Sequence, residues 1–368
     1  DISSRVSEPL DIFSGVMLQS YSYTHNSGDK IVLLNFSHIA VDGWSIGLVV
    51  RDLSVFYAML KSGAVVECQA AGLSYLDYSY WQRKSSAIHK KDSYEFWQLK
   101  LESFYDVPPI KTDFDNAVRH YGNVGEIKLF LDESVRNGIA EISKHNNCSE
   151  FNVWSAIYSV VTAIHNDRDS VCINIDFANR MNEGTENIVG MFVNQIILAP
   201  TLDFSMAFNQ VLLSINKDFS DAIHHSNVQF KEILNNIDRA PKDFGNQLMS
   251  NKFSYQDFST EYYSVENSEI IFSEFDTDYS ALKYDLSLVI HPGDGGVFVR
   301  WTYNKLSFKN TSVLKLNELF VLIVNHILEN SSVPLINIKR KWNDKILQDN
   351  NNKMGKFKFK KKVKKYEV

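Results

Sequence analysis

The chain has 368 residues, 44% hydrophobic and 22% charged, enough to bury a large core or two lobes. Its formal net charge of −6 excludes a global electrostatic footprint for nucleic acid. Cys68, Cys148 and Cys172 lack C-x-x-C spacing, which argues against a zinc site or a disulfide framework and fits a reducing cytoplasm.

Asp1-Ile2-Ser3-Ser4-Arg5 has neither the basic start nor the apolar core of a signal peptide, and no apolar run reads as long enough to span a membrane. The chain opens without Met, so a fragment or excised domain is expected. Leu18 to Tyr23 and Lys30 to Phe36 read as strands joined by a turn around His25-Asn26-Ser27-Gly28-Asp29. Ser37-His38-Ile39-Ala40-Val41-Asp42-Gly43-Trp44-Ser45 follows the second strand. A helix over 46–60 comes next, with Leu48, Val49, Leu53, Phe56 and Leu60 at near-helical spacing. Two further helical stretches are expected, from Ser74 to Lys84 and from Asp92 to Phe104. Pro108-Pro109 then breaks the pattern, and an extended crossover runs to about Gly125.

A second block opens with a strand from Val124 to Leu131. Helices follow from Asp132 to His145, with Asp132 as N-cap, and from Ser149 to Ile164. Val171 to Phe177 reads as an apolar strand, Ile188 to Leu198 contains another, and Ser205 to His224 is an amphipathic helix. Tyr284 to Ile290 and Gly296 to Tyr303 form a hairpin around Pro292-Gly293-Asp294-Gly295, and Phe308 to Asn330 is helical. The mixture of strands and helices predicts an α/β or α+β chain in two lobes, residues 1–115 and 116–345. Residues 346–368 form a basic tail. Its last sixteen residues, Lys353 to Val368, hold eight lysines and one glutamate, with Lys356-Phe357-Lys358-Phe359-Lys360 alternating. This predicts a solvated linker or disordered tail, or an extended segment that docks on a partner's sheet edge or acidic surface.

The motif from Ser37 to Ser45 carries most of the functional information. A histidine at the end of a buried strand is rigidly held, and the loop after it is where side chains meet substrate. A lone H-x-x-x-D is common; the order His38, Asp42, Gly43, Trp44, Ser45 is far more specific. It resembles the H-H-x-x-x-D-G-W-S signature of condensation domains from nonribosomal peptide synthetases. Tyr75-Leu76-Asp77-Tyr78-Ser79-Tyr80-Trp81 resembles the family's Y-x-D-[FY]-A-x-W, and Phe177-Ala178-Asn179-Arg180 its V-A-N-R stretch. Val189-Gly190-Met191-Phe192-Val193-Asn194-Gln195 resembles I-G-x-F-V-N-T. His224 to Phe230 loosely matches H-x-D-x-P-F, and Tyr284-Asp285-Leu286 the late F-D-L strand. The family's additional N-terminal strand, helix and motif have no counterpart here, so a domain lacking its N-terminal part is expected.

The resemblance implies a two-lobed chloramphenicol-acetyltransferase-like fold: two mixed sheets with helices, V-shaped, with an active-site tunnel between the lobes. Donor and acceptor carrier proteins present thioesters on phosphopantetheine arms, an amide forms, and the domain itself binds no cofactor. An adjacent adenylation domain, a cytoplasmic setting and no membrane or nucleic-acid partner are expected. His38 matches the catalytic histidine, as a base or as a residue that orients the amine. Gly43 is expected to give close backbone approach and an N–H toward the oxyanion. By resemblance Asp42 pairs with Arg180 and braces the loop. Trp44 is read as packing, and Asn194 either lines the tunnel or orders the crossing loop.

Ser37 is the departure, standing where the family usually has its first histidine. Neighbours on a strand point to opposite faces, so a Ser37–His38 dyad is rejected. Ser37 also resembles the S-H-x-x-x-D pattern of terminal cyclising condensation-like domains. The D-F-G-W-G motif of coenzyme-A-dependent plant acyltransferases finds only a fragment in Asp243-Phe244-Gly245-Asn246-Gln247. Heterocyclisation would need an aspartate in place of the first histidine, and epimerisation domains resemble the chain less around Phe192-Val193-Asn194. The alternatives are a catalytically silent recruitment domain of the same fold, or a terminal cyclising or coenzyme-A-type acyltransferase.

Overall fold

A computed structural model of the chain describes residues 2–6, 8–26, 28, 30–65, 72–114, 123–237, 240–256, 263–264, 271–272, 282–293 and 295–363. After a short helix α1 (Ile2–Val6), β1 (Leu18–Thr24) and β2 (Lys30–Phe36) pair antiparallel, Leu18 against Phe36 and Thr24 against Lys30. Helix α2 (Gly43–Lys61) starts nearer the motif than its apolar spacing predicts. The cause is Asp42, whose extended backbone and carboxylate cap the helix through the Ser45 N–H. The two helical stretches expected around residues 74–104 are one helix, α3 (Tyr75–Glu102). Ser74 and Asp77 close a capping box at its start. The polar stretch from Arg83 to Lys91 contains no Gly or Pro, so nothing in it stops the helix.

The second block supplies β3 (Val124–Asp132), α4 (Glu133–His145), α5 (Glu150–Asn166), β4 (Ile173–Phe177), β5 (Asn194–Leu198), α6 (Phe208–His224), α7 (Phe230–Asn236) and α8 (Phe244–Leu248). Strands β6 (Asn251–Tyr255), β7 (Tyr263–Ser264), β8 (Ile271–Phe272), β9 (Leu286–Gly293) and β10 (Gly296–Asn304) follow, then α9 (Asn310–Asn330) and α10 (Leu335–Val363). The main sheet has the order β3-β10-β9-β6-β4-β5. It is mixed: β6 runs parallel to β4 and β9, and the other neighbours are antiparallel. The expectation of two mixed sheets needs correction. Beside this six-stranded sheet, the described residues hold only the two-stranded ribbons β1–β2 and β7–β8, both antiparallel.

One face of the sheet carries the core. Along β10, Val297, Val299, Trp301 and Tyr303 are buried while Phe298 is exposed and Arg300 and Thr302 are half-buried, the period-2 signature of a sheet covered on one side. Helix α5 lies at the centre, buried on every side from Asn152 to Ile164, and packs against α4, α6 and α9. The C-terminal half of α3 joins this core through Trp97 and Leu101. Its first turn packs instead in a separate small cluster of Tyr75, Tyr78, Ile188 and Phe192.

Two further sequence expectations change. Helices α2 and α9 are both long and apolar enough to cross a membrane by length and composition. Helix α9 buries its apolar stripe, Val313 to Ile327, in the core; α2 buries only Ser45, Leu48 and Ser54. The basic tail is neither extended nor disordered as far as Val363: the alternating Lys–Phe segment continues α10, which runs unbroken through position 346. Residues 364–368, the lobe boundary at 115/116 and Cys68 lie outside the described residues.

Candidate active site

Strand β2 ends at Phe36, and the chain turns through His38 to Ala40 before Asp42 caps α2. The His38 Nδ1 lies 2.9 Å from the Val41 carbonyl oxygen. A carbonyl only accepts, so Nδ1–H donates and the neutral ring keeps its lone pair on Nε2. The ring is exposed on a cavity of about 970 Å³. The polar face of the six-stranded sheet forms much of the remaining wall, with Asp176, Gln195, Lys252 and Arg300, and Tyr284 just before β9 adds to it. Among the described residues Ser37 makes no hydrogen bond to His38; its N–H donates to the Met17 carbonyl and holds the turn against the segment before β1.

Asp42 is not behind His38. It is 4% exposed and every direction around its carboxylate is occupied. Oδ1 accepts from the Ser45 N–H at 2.8 Å, the Ser45 hydroxyl at 2.7 Å and Arg180 Nη2 at 3.1 Å. Oδ2 accepts from the Phe192 N–H at 3.0 Å and Arg180 Nη2 at 3.3 Å. The guanidinium also donates to the carbonyls of Thr185 and Ile188, and it lies 4.0 Å from the Phe192 ring centroid. With these partners the carboxylate has no lone pair to spare for proton transfer.

The same network ties α2 to residues 185–192, a strap between β4 and β5. Ser45, fully buried, accepts from the Gly190 N–H at 3.0 Å, and its hydroxyl lies 2.9 Å from the Gly190 carbonyl. Tyr75 at the start of α3 donates to the Met191 carbonyl at 2.7 Å. Burial, and then the Asp42 charge, push its phenol above its ordinary value. Trp44, read as a packing residue, is 43% exposed and works as a staple: its indole N–H donates to the Glu186 carbonyl at 2.9 Å.

Asn194 stands at the head of β5 on the cavity wall, with its amide fully used. Nδ2 donates to the Ser226 and Val228 carbonyls, and Oδ1 accepts from the N–H groups of Gln195 and Phe230. It therefore orders the 226–230 segment that leads into α7. His225 stacks on Phe96 and meets Ser93 Oγ at 3.2 Å, so it belongs to the contact of α3 with α6. The fragment around Asp243 is the short helix α8, whose Phe244 is buried in the core.

The structure thus groups Asp42, Trp44 and Arg180 in one brace and leaves His38 separate, beside the cavity. Sequence reading missed Ser45, Gly190 and the strap backbone as parts of the brace. It also missed the polar residues of β3, β6 and β10 that face the cavity. Alternation in Glu126-Ile127-Lys128 and Arg300-Trp301-Thr302 was the available signal for the latter.

Fold and site define a mixed α/β domain that presents a tautomer-fixed histidine to a polar cavity. The chain belongs to the condensation-domain family, whose family model matches residues 2–341. Its relatives include synthases and synthetases. It is 23% identical over 355 residues to a linear gramicidin synthase of Brevibacillus parabrevis, covering 92% of this chain and 7% of that protein. It is also 23% identical over 305 residues to malpinin synthetase of Mortierella alpina, covering 83% of this chain and 4% of that protein. Among solved structures, a four-domain nonribosomal peptide synthetase bound to AMP and glycine shares the fold with a TM-score of 0.77 at 16% identity, over 91% of this chain and 26% of that one. The X-domain from teicoplanin biosynthesis shares it with a TM-score of 0.73 at 15% identity, over 91% of this chain and 77% of that one. The chain therefore spans a small part of the synthetases it matches.

Proposed function

We propose that this domain joins a donor acyl or peptidyl thioester to the amine of an acceptor aminoacyl thioester, both delivered on phosphopantetheine arms of carrier proteins. The observation that carries this reading is His38, its Nδ1–H committed to Val41 and its ring exposed on the cavity. In aminolysis the amine nitrogen bonds to the thioester carbon, the oxyanion collapses, the C–S bond breaks, and the thiolate leaves with a proton. His38 Nε2 accepts a hydrogen bond from the amine, orients it for attack and takes or relays its proton. Gly43 opens α2, so its N–H has no acceptor within the helix and lies at the positive end of the helix dipole, suited to the oxyanion. Asp42 and Arg180 hold this turn without entering the chemistry.

This reading puts the domain in a two-lobed arrangement with a tunnel, beside carrier and adenylation domains, in the cytoplasm. The free thiols Cys148 and Cys172 are in keeping with that compartment. With two loaded carrier proteins, the wild-type chain is expected to yield the amide, followed by mass spectrometry. His38→Ala is expected to lower the rate by on the order of a hundredfold or more with folding unchanged. Wild-type turnover by the variant would remove His38 from the mechanism. A recruitment role is the second reading, supported by Ser37 at the first motif position and by the likeness to the X-domain, which has been solved in complex with OxyB. It prevails if no amide forms from carrier-bound or coenzyme-A thioesters while a tailoring enzyme binds.

A further inference from the structure

The basic run near the end of the sequence is a motif that the condensation reading leaves unused. Helix α10 holds ten Lys and Arg against two Asp, a net charge of +8. The other residues of the chain hold 28 Lys and Arg against 42 Asp and Glu, a net charge of −14. The condensation-family match ends at residue 341, so most of the basic charge of α10 lies beyond what the family shares.

The two halves of α10 differ. Leu335, Ile338 and Trp342 are buried and Ile346 packs half-buried against the core, at the spacing of one helical face. The next positions on that face, Asp349, Asn350 and Lys353, are polar, and Leu347 is 60% exposed. The backbone stays helical to Val363 all the same. At 1.5 Å per residue it carries the chain about 25 Å past Ile346. That is roughly three screening lengths at physiological salt, so an anionic surface met by the end of α10 feels its lysines while acidic groups that far back are largely screened.

The composition of the run selects its partner. From Lys353 to Lys365 there are eight lysines, no arginine and no acidic residue. Paired recognition of bases and phosphates in nucleic acid draws on the planar guanidinium, whereas lysine is a hydrated point charge that suits a diffuse anionic surface. Phe357, Phe359 and Val363 are interleaved with the lysines. An acidic protein surface asks only for the charges. A lipid surface is anionic at its headgroups and apolar a few ångströms below, and it takes both. We propose that the run from Lys353 to Lys365 docks this domain on an anionic membrane surface, with the lysines at the headgroups and the phenylalanines at the acyl boundary. The family resemblance implies no such partner, and the docking does not depend on the chemistry at His38.

Co-sedimentation of the full chain with lipid vesicles tests it. Vesicles of phosphatidylcholine with roughly one-third phosphatidylserine are expected to bind the chain at least about tenfold more tightly than vesicles of phosphatidylcholine alone. Raising the salt from about 0.1 M to about 1 M is expected to release it. Lys356→Gln, Lys358→Gln, Lys360→Gln, Lys361→Gln and Lys362→Gln made together are expected to lower the partition by on the order of a hundredfold or more. Phe357→Ser with Phe359→Ser is expected to lower it by about tenfold and to keep the salt dependence. Equal partition into the two vesicle types, binding that survives in the glutamine variant, or a serine variant that binds as well as the wild type overturns the proposal. So does glutamine-sensitive binding to poly-glutamate or poly-uridylate without partition into either vesicle, which gives the run to an acidic protein or to RNA instead.

Discussion

At the scale of single residues, the motif divides its labour. His38 keeps a lone pair for the cavity because its other nitrogen is committed to a main-chain carbonyl. Asp42 is spent on Arg180, Ser45 and the Phe192 N–H. With Nδ1 against a main-chain carbonyl in place of a carboxylate, His38 differs from the histidine of a hydrolytic triad, where an imidazolium must be stabilised. Both side chains of the Asp42–Arg180 pair are 3% exposed, so removing either leaves a buried charge without its counterion. Asp42→Ala is expected to cost about 3–5 kcal/mol in denaturant unfolding. The double variant Asp42→Ala/Arg180→Met is expected to lose much less than the sum of the single variants, since no lone charge then stays buried. An additive cycle would show that the two groups act independently. A stable Asp42→Asn variant that forms no amide would return the aspartate to the chemistry. His38, Asp42 and Arg180 could be found from contiguous motifs. Ser45 could not, because its partner Gly190 lies 145 positions away and a serine one turn into a helix gives no sign of a distant contact.

At the scale of elements, the 185–192 strap is what the brace holds in place, and its fit against α3 is close. A Cβ on Gly190 would come within 2.2 Å of the Tyr75 ring, which the bond from its hydroxyl to the Met191 carbonyl and its contact with Phe192 keep from moving away. Gly190→Ala is therefore expected to destabilise by about 1–3 kcal/mol, the range of overpacked sites. Pairing it with Tyr75→Ala, which removes the obstructing ring, should recover part of that loss if the clash is the cause. An unchanged melting temperature for Gly190→Ala would mean that the strap shifts freely. Elements with a long apolar period were legible from the sequence, among them α4, α5, α6, α9 and the β9–β10 hairpin. Strand β6 was not. It sits between two parallel neighbours, where strands usually read as apolar runs, yet Lys252 lines the cavity. Five residues of mixed polarity are too few to show alternation against the loops around them. The split of α3 into two expected helices has the opposite cause: its polar middle interrupts the apolar stripe without interrupting the backbone.

At the scale of the whole molecule, the two parts of the chain are covered very differently. The six-stranded sheet and its helices bury a continuous core around α5. By contrast, among the described residues most exposed large apolar side chains fall between residues 12 and 81. Leu18 and Val32 on the β1–β2 ribbon are 46% and 50% exposed; Val55, Tyr57 and Leu60 on α2 are 44%, 49% and 66% exposed. Among the described residues the ribbon pairs with no third strand, so its outer edges offer unpaired N–H and C=O groups beside apolar side chains. Such edges are templates for pairing with another chain, and contiguous exposed apolar surface drives association. The chain of these 368 residues on its own is therefore expected to bind an apolar dye in its native state. Its weight-average mass in sedimentation velocity should rise with concentration. Placing charge on both faces, with Val32→Lys and Leu60→Glu together, should lower dye binding and self-association, while the unfolding of the main core moves little because neither side chain reaches it. A monodisperse wild-type monomer that binds no dye would mean that these faces are too dispersed to act as one adhesive surface. If association persists in the charged double variant, its source lies elsewhere on the molecule, and the exposed faces of the ribbon and α2 have no part in it.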